Sequence, residues 1–173
     1  MAVIEAIATQ YLEADAASVT FSSIPQTYEH LQLRGSCRMN ESGYMYGNLY
    51  LQMGDGSIDT GTNYSTHDMN GAASSPAASA ATGAAQIVLR ATPDGPSTVA
   101  TYYGTFICDL LDYVNTDKNV TTLSLCMTAN PEQVAYCSGL WDSTAAVDTI
   151  KLAPSAGDWV RGSEFTLYGL NSS

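Results

Sequence analysis

The stretch His30 to Met39, HLQLRGSCRM, constrains the fold more than any other part of the chain. Leu31, Leu33, Gly35, Cys37 and Met39 fall on one side of a period-two ribbon, and His30, Gln32, Arg34, Ser36 and Arg38 on the other. A strand sends successive side chains to opposite faces, so the spacing predicts a strand with one dry and one wet face. At helical spacing the same apolar residues would scatter round the axis. Such a strand needs lateral partners for its backbone groups and a second layer for its apolar face.

The rest of the chain reads as the supply of both. Tyr44 to Met53 alternates in the same way, with Gly47, Leu49, Leu51 and Met53 on one face and Tyr46, Asn48, Tyr50 and Gln52 on the other. Two alternating runs around the turn Asn40 to Gly43 predict a hairpin. Shorter runs follow. Ala2 to Thr9 is a first strand or docking arm, and Ser18 to Phe21 and Gln86 to Ala91 are strands. In the run Thr98 to Asp112, Phe106, Cys108 and Leu110 share one face. In Thr121 to Met127, Leu123, Leu125 and Met127 share a face; Gln133 to Cys137, Val147 to Leu152 and Ser163 to Leu170 complete the series. Nine or ten short strands, turns such as Thr92 to Ser97 and Asn130–Pro131, and no amphipathic helix predict an all-β antiparallel sandwich of jelly-roll type. A chain of 173 residues suits one such domain, with an N-terminal arm over about 1–12. Between about 54 and 85 the alternation dissolves into Gly, Ser, Thr, Asn and Ala. That stretch predicts a long functional loop, an arm to a neighbour, or a short helix within 72–85.

Charge excludes some functions. Six basic residues against seventeen acidic ones give a net charge of -11, and the basic residues form no stripe. A protein that neutralises phosphates needs clustered Lys or Arg, so direct nucleic-acid binding is not expected. No apolar run is long enough to span a bilayer, and Met1 to Gln10 lacks the basic start of a secretory signal. The expectation is a soluble protein made in a reducing cytoplasm. Cys37, Cys108, Cys126 and Cys137 have no CxxC spacing and read as buried free thiols, two disulfides being the alternative.

Candidate chemistry is sparse. His67 and Asp68 supply two adjacent metal-ligand types, but neighbours in sequence rarely converge and further ligands would be needed. Asp55, Ser57 and Asp59 alternate in GDGSID without the closing glutamate of a calcium loop, and read as a polar turn. Asp109, Asp112 and Asp117 offer carboxylates of glycosidase type, or solvated acids at a strand end. No nucleophile elbow, phosphate loop, zinc pattern or dinucleotide fingerprint occurs. No catalytic residue, metal site or cofactor is assigned, and the chain is not expected to be an enzyme. Aromatic residues are more informative. Tyr46 and Tyr50 lie on the expected outer face of the hairpin, and Tyr102, Tyr103, Tyr136, Trp141 and Trp159 near strand ends or loops. They read either as interface residues or as caps on the ends of the sandwich. Tyr46, Tyr50, Tyr64, His67 and Trp141 are the candidate interface residues.

Four stretches, SVTFSSIPQTYEHLQLRG at 18–35, TGTNYSTH at 60–67, DYVNTDKNVT at 112–121 and SGLWDSTAAVDTIKLAPSAGDWVRGSEFTLYGL at 138–170, together resemble a family of small virion proteins of tailed bacteriophages. The resemblance runs from about residue 8 to residue 170; Asn70 to Thr82, richer in alanine and serine, departs from it. It implies a structural protein of a phage particle and brings no catalytic residues. The expectation is a capsid decoration, or cement, protein that binds the major capsid protein or other virion proteins as a homo-oligomer, a trimer. The alternative is a tail or fibre component, such as a carbohydrate-binding adhesin head.

Overall fold

The computed structural model describes residues 3–41, 46–72, 75–93, 101–129 and 132–172. Among them are thirteen strands and no helix. The expected turns at 40–43, 92–97 and 130–131 fall partly or wholly outside these residues. The larger sheet has eight strands in the order β1 (Val3–Tyr11), β13 (Glu164–Asn171), β3 (His30–Cys37), β9 (Gly104–Leu111), β10 (Val120–Ala129), β11 (Glu132–Trp141), β6 (Tyr64–Ala72), β7 (Ser75–Ala84). The smaller sheet runs β2 (Val19–Phe21), β12 (Thr149–Pro154), β4 (Tyr46–Asp55), β5 (Ser57–Ile58), with β8 (Ile87–Pro93) also paired to β4. Every pairing is antiparallel. The protein is an antiparallel β-sandwich, as the alternation predicts.

The dry faces of β3 and β4 meet in the middle. Leu31, Leu33, Cys37 and Met39 are buried on one side, and Leu49, Leu51 and Met53 on the other. Ile150 and Leu152 of β12, Leu110 of β9, and Phe165 and Leu167 of β13 complete the interior. Each fully buried side chain of this size contributes about 1.5–3 kcal/mol relative to exposure. Trp159 stacks tilted on Phe165 at 5.3 Å between ring centroids and donates its indole N–H to the Leu152 carbonyl at 3.3 Å. Gly35 makes room beside them: a Cβ there would lie 2.5 Å from the Phe106 ring.

Two expectations fail. First, β3 and β4 do not form a hairpin. β3 pairs with β13 and β9, β4 with β12, β5 and β8, and the chain between them crosses from one sheet to the other. Two ribbons with one dry face each are satisfied equally side by side or face to face, and period-two spacing does not distinguish these arrangements. Second, the stretch 54–85 is neither loop nor helix. It holds β5, β6 and β7, and β6 and β7 form a long antiparallel pair at the sheet edge.

β8 governs the half of the molecule that follows. It pairs with β4 through Leu89 opposite Leu49 and Ile87 opposite Leu51. Its far side leans on the inner face of β10, β11 and β6. The fit is close. A Cβ on Gly139 of β11 would lie 2.6 Å from Ile87 Cγ2, and the Thr66 hydroxyl of β6 donates to the Val88 carbonyl at 3.3 Å.

Candidate interaction face

The candidate residues do not come together. Tyr64 is buried; its hydroxyl accepts from the Met53 N–H at 3.0 Å and donates to the Asp59 carbonyl at 2.9 Å. Burial pushes its pKa up to about 12. Trp141 is buried too, and its indole N–H donates to the Asp59 carboxylate at 2.8 Å. That bond, with another from the Asn63 amide, lowers the Asp59 pKa below the usual carboxylate range. Tyr64, Trp141 and Asp59 thus lock one end of the sandwich from inside and offer no surface to a partner. A ring with a polar edge satisfies that edge as well in a core as in an interface. Tyr50 is half-buried on the outer face of the smaller sheet, between Val88 and Ala153 in register. The side chain of Tyr46 lies outside the described residues. His67 is exposed on the outer face of the larger sheet.

The other polar candidates also separate. His67 and Asp68 point to opposite faces. Asp68 is buried, accepts hydrogen bonds from Ser79 and Asn70, and pairs with Arg90 at 3.1 Å. Burial pushes the Asp68 pKa up; the Ser79 and Asn70 bonds and the Arg90 charge outweigh it, and the net shift is downward. Asp59 belongs to the polar turn expected there, its carboxylate accepting from Gly61 N–H and the Asn63 amide at 2.8 Å each. Asp109 accepts from the Gln32 amide at 2.6 Å, whereas Asp112 pairs with Lys118 and His30 beyond the end of β9. All four cysteines are buried and free, as expected. Burial pushes the Cys37 and Cys108 thiols up, and Cys126 is raised by its hydrogen bond to Cys137 and by burial. Burial makes the Cys37 and Cys108 thiols inert packing groups, whereas the hydrogen bond from Cys126 lowers the Cys137 pKa to about 7.

A different surface emerges on the outer face of β10, β11 and β6. β10 is inverted relative to β3. Thr122, Ser124, Cys126 and Thr128 point inward, and Leu123, Leu125 and Met127 point to solvent. The cause is β8. Ile87 occupies the space at Gly139, beside Thr122, and leaves room at that point for short inward side chains only. Among the polar ones, the Ser124 hydroxyl donates to the Cys137 carbonyl at 3.3 Å. The large apolar residues are left outside.

Register brings them together. Met127 lies opposite Val134, Leu125 opposite Tyr136, and Tyr136 opposite Met69. With Leu123, these six side chains are 42–65% exposed. They expose roughly 600 Å² in all, most of it apolar, at the upper end of what the largest patch on an ordinary monomer presents. Toward the other end of the same strands the face drops into a hollow of about 370 Å³, bounded by Ser65, His67, Ala80, Thr121, Ser138 and Leu140. The area is nearly free of charge. β10 and β7 carry no Asp, Glu, Lys, Arg or His, Glu132 sits at the end of β11, and Asp68 is turned inward.

Sequence reasoning placed Tyr136 among the exposed aromatics but missed its neighbours. The available signal was the opposite face of β10, where Thr122, Ser124 and Thr128 are short enough to be the buried set.

Fold and surface together define a class: an all-β sandwich with one apolar sheet face, nearly free of charge, on an otherwise acidic body. Comparison with protein-family models, curated proteins and solved structures finds no match to this chain.

Proposed function

We propose that the chain is a structural protein of a tailed-phage particle, a decoration protein that binds the head shell as an oligomer and stabilises it. The observation that carries this reading is the apolar face, nearly free of charge, set in a body of net charge -11. Such a face is suited to protein neighbours, and the acidic remainder is unsuited to packaged DNA. The resemblance of 18–35, 60–67, 112–121 and 138–170 to small virion proteins supports the same reading. Its mechanism is adhesion. Modest apolar contacts repeated by the symmetry of a shell add avidity without chemistry.

The test is made on particles. Virions stripped of this chain should lose resistance to heat and osmotic shock and regain it when purified protein is added back. Labelling should fall on the head. Unchanged resistance after stripping, or label confined to the tail, overturns the reading; the latter favours a tail or fibre component.

A further inference from the structure

We infer that the occupant of the apolar face is a second copy of this chain, docked face to face about a two-fold axis that crosses the strands of β10, β11 and β6. The inference deepens the adhesive reading of that face and does not depend on its being part of a particle.

Three observations carry it. The first is shape. The bulky residues Leu125, Met127, Val134, Tyr136 and Met69 stand at one end of the face with smaller hollows beside them, and the largest hollow of this face among the described residues, over Ala80, Thr121 and Ser138, lies at the other. A two-fold axis between these halves sets the ridge of each copy over the hollow of its partner. One patch then complements itself, which is the requirement of an isologous contact. A three-fold arrangement, the number expected from the sequence, needs two patches that face different neighbours, whereas the ridge and the hollow lie on one sheet face and point the same way.

The second observation is charge. Two bodies of net charge -11 repel, so a contact between copies must be neutral over its area, with the acids held at a distance where salt screens them. β7 and β10 carry no charged side chain, the acid of β6 points into the core, and the acid of β11, Glu132, stands at the edge of the face beside Met127 and Val134. A basic partner would be met by more than this single marginal carboxylate. The third is area. Roughly 600 Å² from each copy gives about 1,200 Å² in total, the lower limit for a specific interface.

The experiment is sedimentation velocity or light scattering on the purified protein. The expected species at ~50 μM, a concentration at which a contact of micromolar affinity is mostly formed, is a dimer of twice 18.3 kDa. Tyr136→Lys should weaken dimerisation by about a hundredfold, as expected for a charge placed in the centre of an apolar contact. Ala80→Trp is the sharper variant. It fills the hollow while adding apolar surface, so ridge-into-hollow docking predicts dissociation, whereas a merely sticky face predicts tighter association. Tyr50→Lys, on the opposite face, should leave the dimer intact. Circular dichroism and thermal midpoints establish that each variant is folded. A monomeric or trimeric wild-type chain, or an Ala80→Trp variant that associates more tightly, overturns the inference. A monomeric chain that still coats shells removes the pairing and leaves the decoration reading standing. A dimer that never binds shells does the reverse.

Discussion

β3 and β10 lie in one sheet, separated only by β9, and they follow opposite rules. β3 buries Leu31 and Leu33 and exposes Arg34. β10 buries Thr122, Ser124, Cys126 and Thr128 and exposes Leu123, Leu125 and Met127. Both alternate with period two and both are well-formed strands. The difference lies in what stands across the interior. Opposite β3 the sheets are separated by a full layer of large side chains. Opposite β10, β8 comes close enough for Ile87 to fill the space at Gly139. Alternation thus establishes that a strand has two faces, and the room available inside decides which face is buried.

The strongest test of this contrast is a matched pair of truncations, measured by chemical denaturation at a concentration where the chain is monomeric. Leu33→Ala removes a fully buried side chain and should cost about 3 kcal/mol. Leu125→Ala, on the outer face of β10, should cost under about 1 kcal/mol, because a half-exposed side chain leaves no cavity. Equal losses would mean that β10 does not carry its apolar residues outward.

The buried polar face near β8 supplies the next test. Arg90→Met leaves Asp68 buried without its cation, and should cost about 2–3 kcal/mol at neutral pH, less than a fully enclosed pair because Arg90 reaches the surface. The pH dependence has a definite sign. Asp68 has a lowered pKa in the folded protein, so its charge contributes stability that is fully present above the unfolded carboxylate value of about 3.9 and is lost as pH falls through the lower folded value. The gap between wild type and Arg90→Met should therefore be widest at neutral pH and close in acid. A gap that persists unchanged at pH 2 would assign the loss to packing of the arginine stem.

The same contrast explains what the sequence disclosed. The faces of β3 and β4, the burial of the four cysteines, and the inward Phe165 and Leu167 are legible because large side chains alternate there with polar ones. β6 was illegible because its inward set is Tyr64, Thr66 and Asp68 and its outward set Ser65, His67 and Met69. Polarity barely differs between those sets. β7, Ala- and Ser-rich and exposed along nearly its whole length, is a strand only through its pairing with β6. Within the site, Tyr136 stood out as an aromatic residue, whereas Tyr64 and Trp141 misled because their polar partners, Met53 and Asp59, lie far from them in sequence or across a turn. The inversion of β10 required the position of β8, which no local pattern contains.

Gly139 measures that closeness directly. Gly139→Ala places a methyl 2.6 Å from both Ile87 Cγ2 and the Thr122 hydroxyl, and should cost about 1–2 kcal/mol through overpacking. In an Ile87→Ala background the penalty should fall by at least half, a coupling that a double-mutant cycle reads. An undiminished penalty would place the constraint in the backbone of β11 and not in the approach of β8.

The smallest expected effect is at Met69, the most exposed of the large apolar residues. It lies on β6 between Tyr136 and Ala78. Its contacts in a single chain are those of a side chain standing mostly in water, and threonine has the better strand propensity. Met69→Thr should therefore change the stability of the monomer by no more than about 0.5 kcal/mol. Leu31 or Leu33 on β3 would not tolerate that exchange, because their methyl groups fill space that nothing else can enter. A large loss at Met69 would mean that the outer face helps hold the single chain together. A negligible loss in folding, combined with weaker self-association, would mean that the apolar residues of this half of the sheet serve contacts the isolated fold does not make.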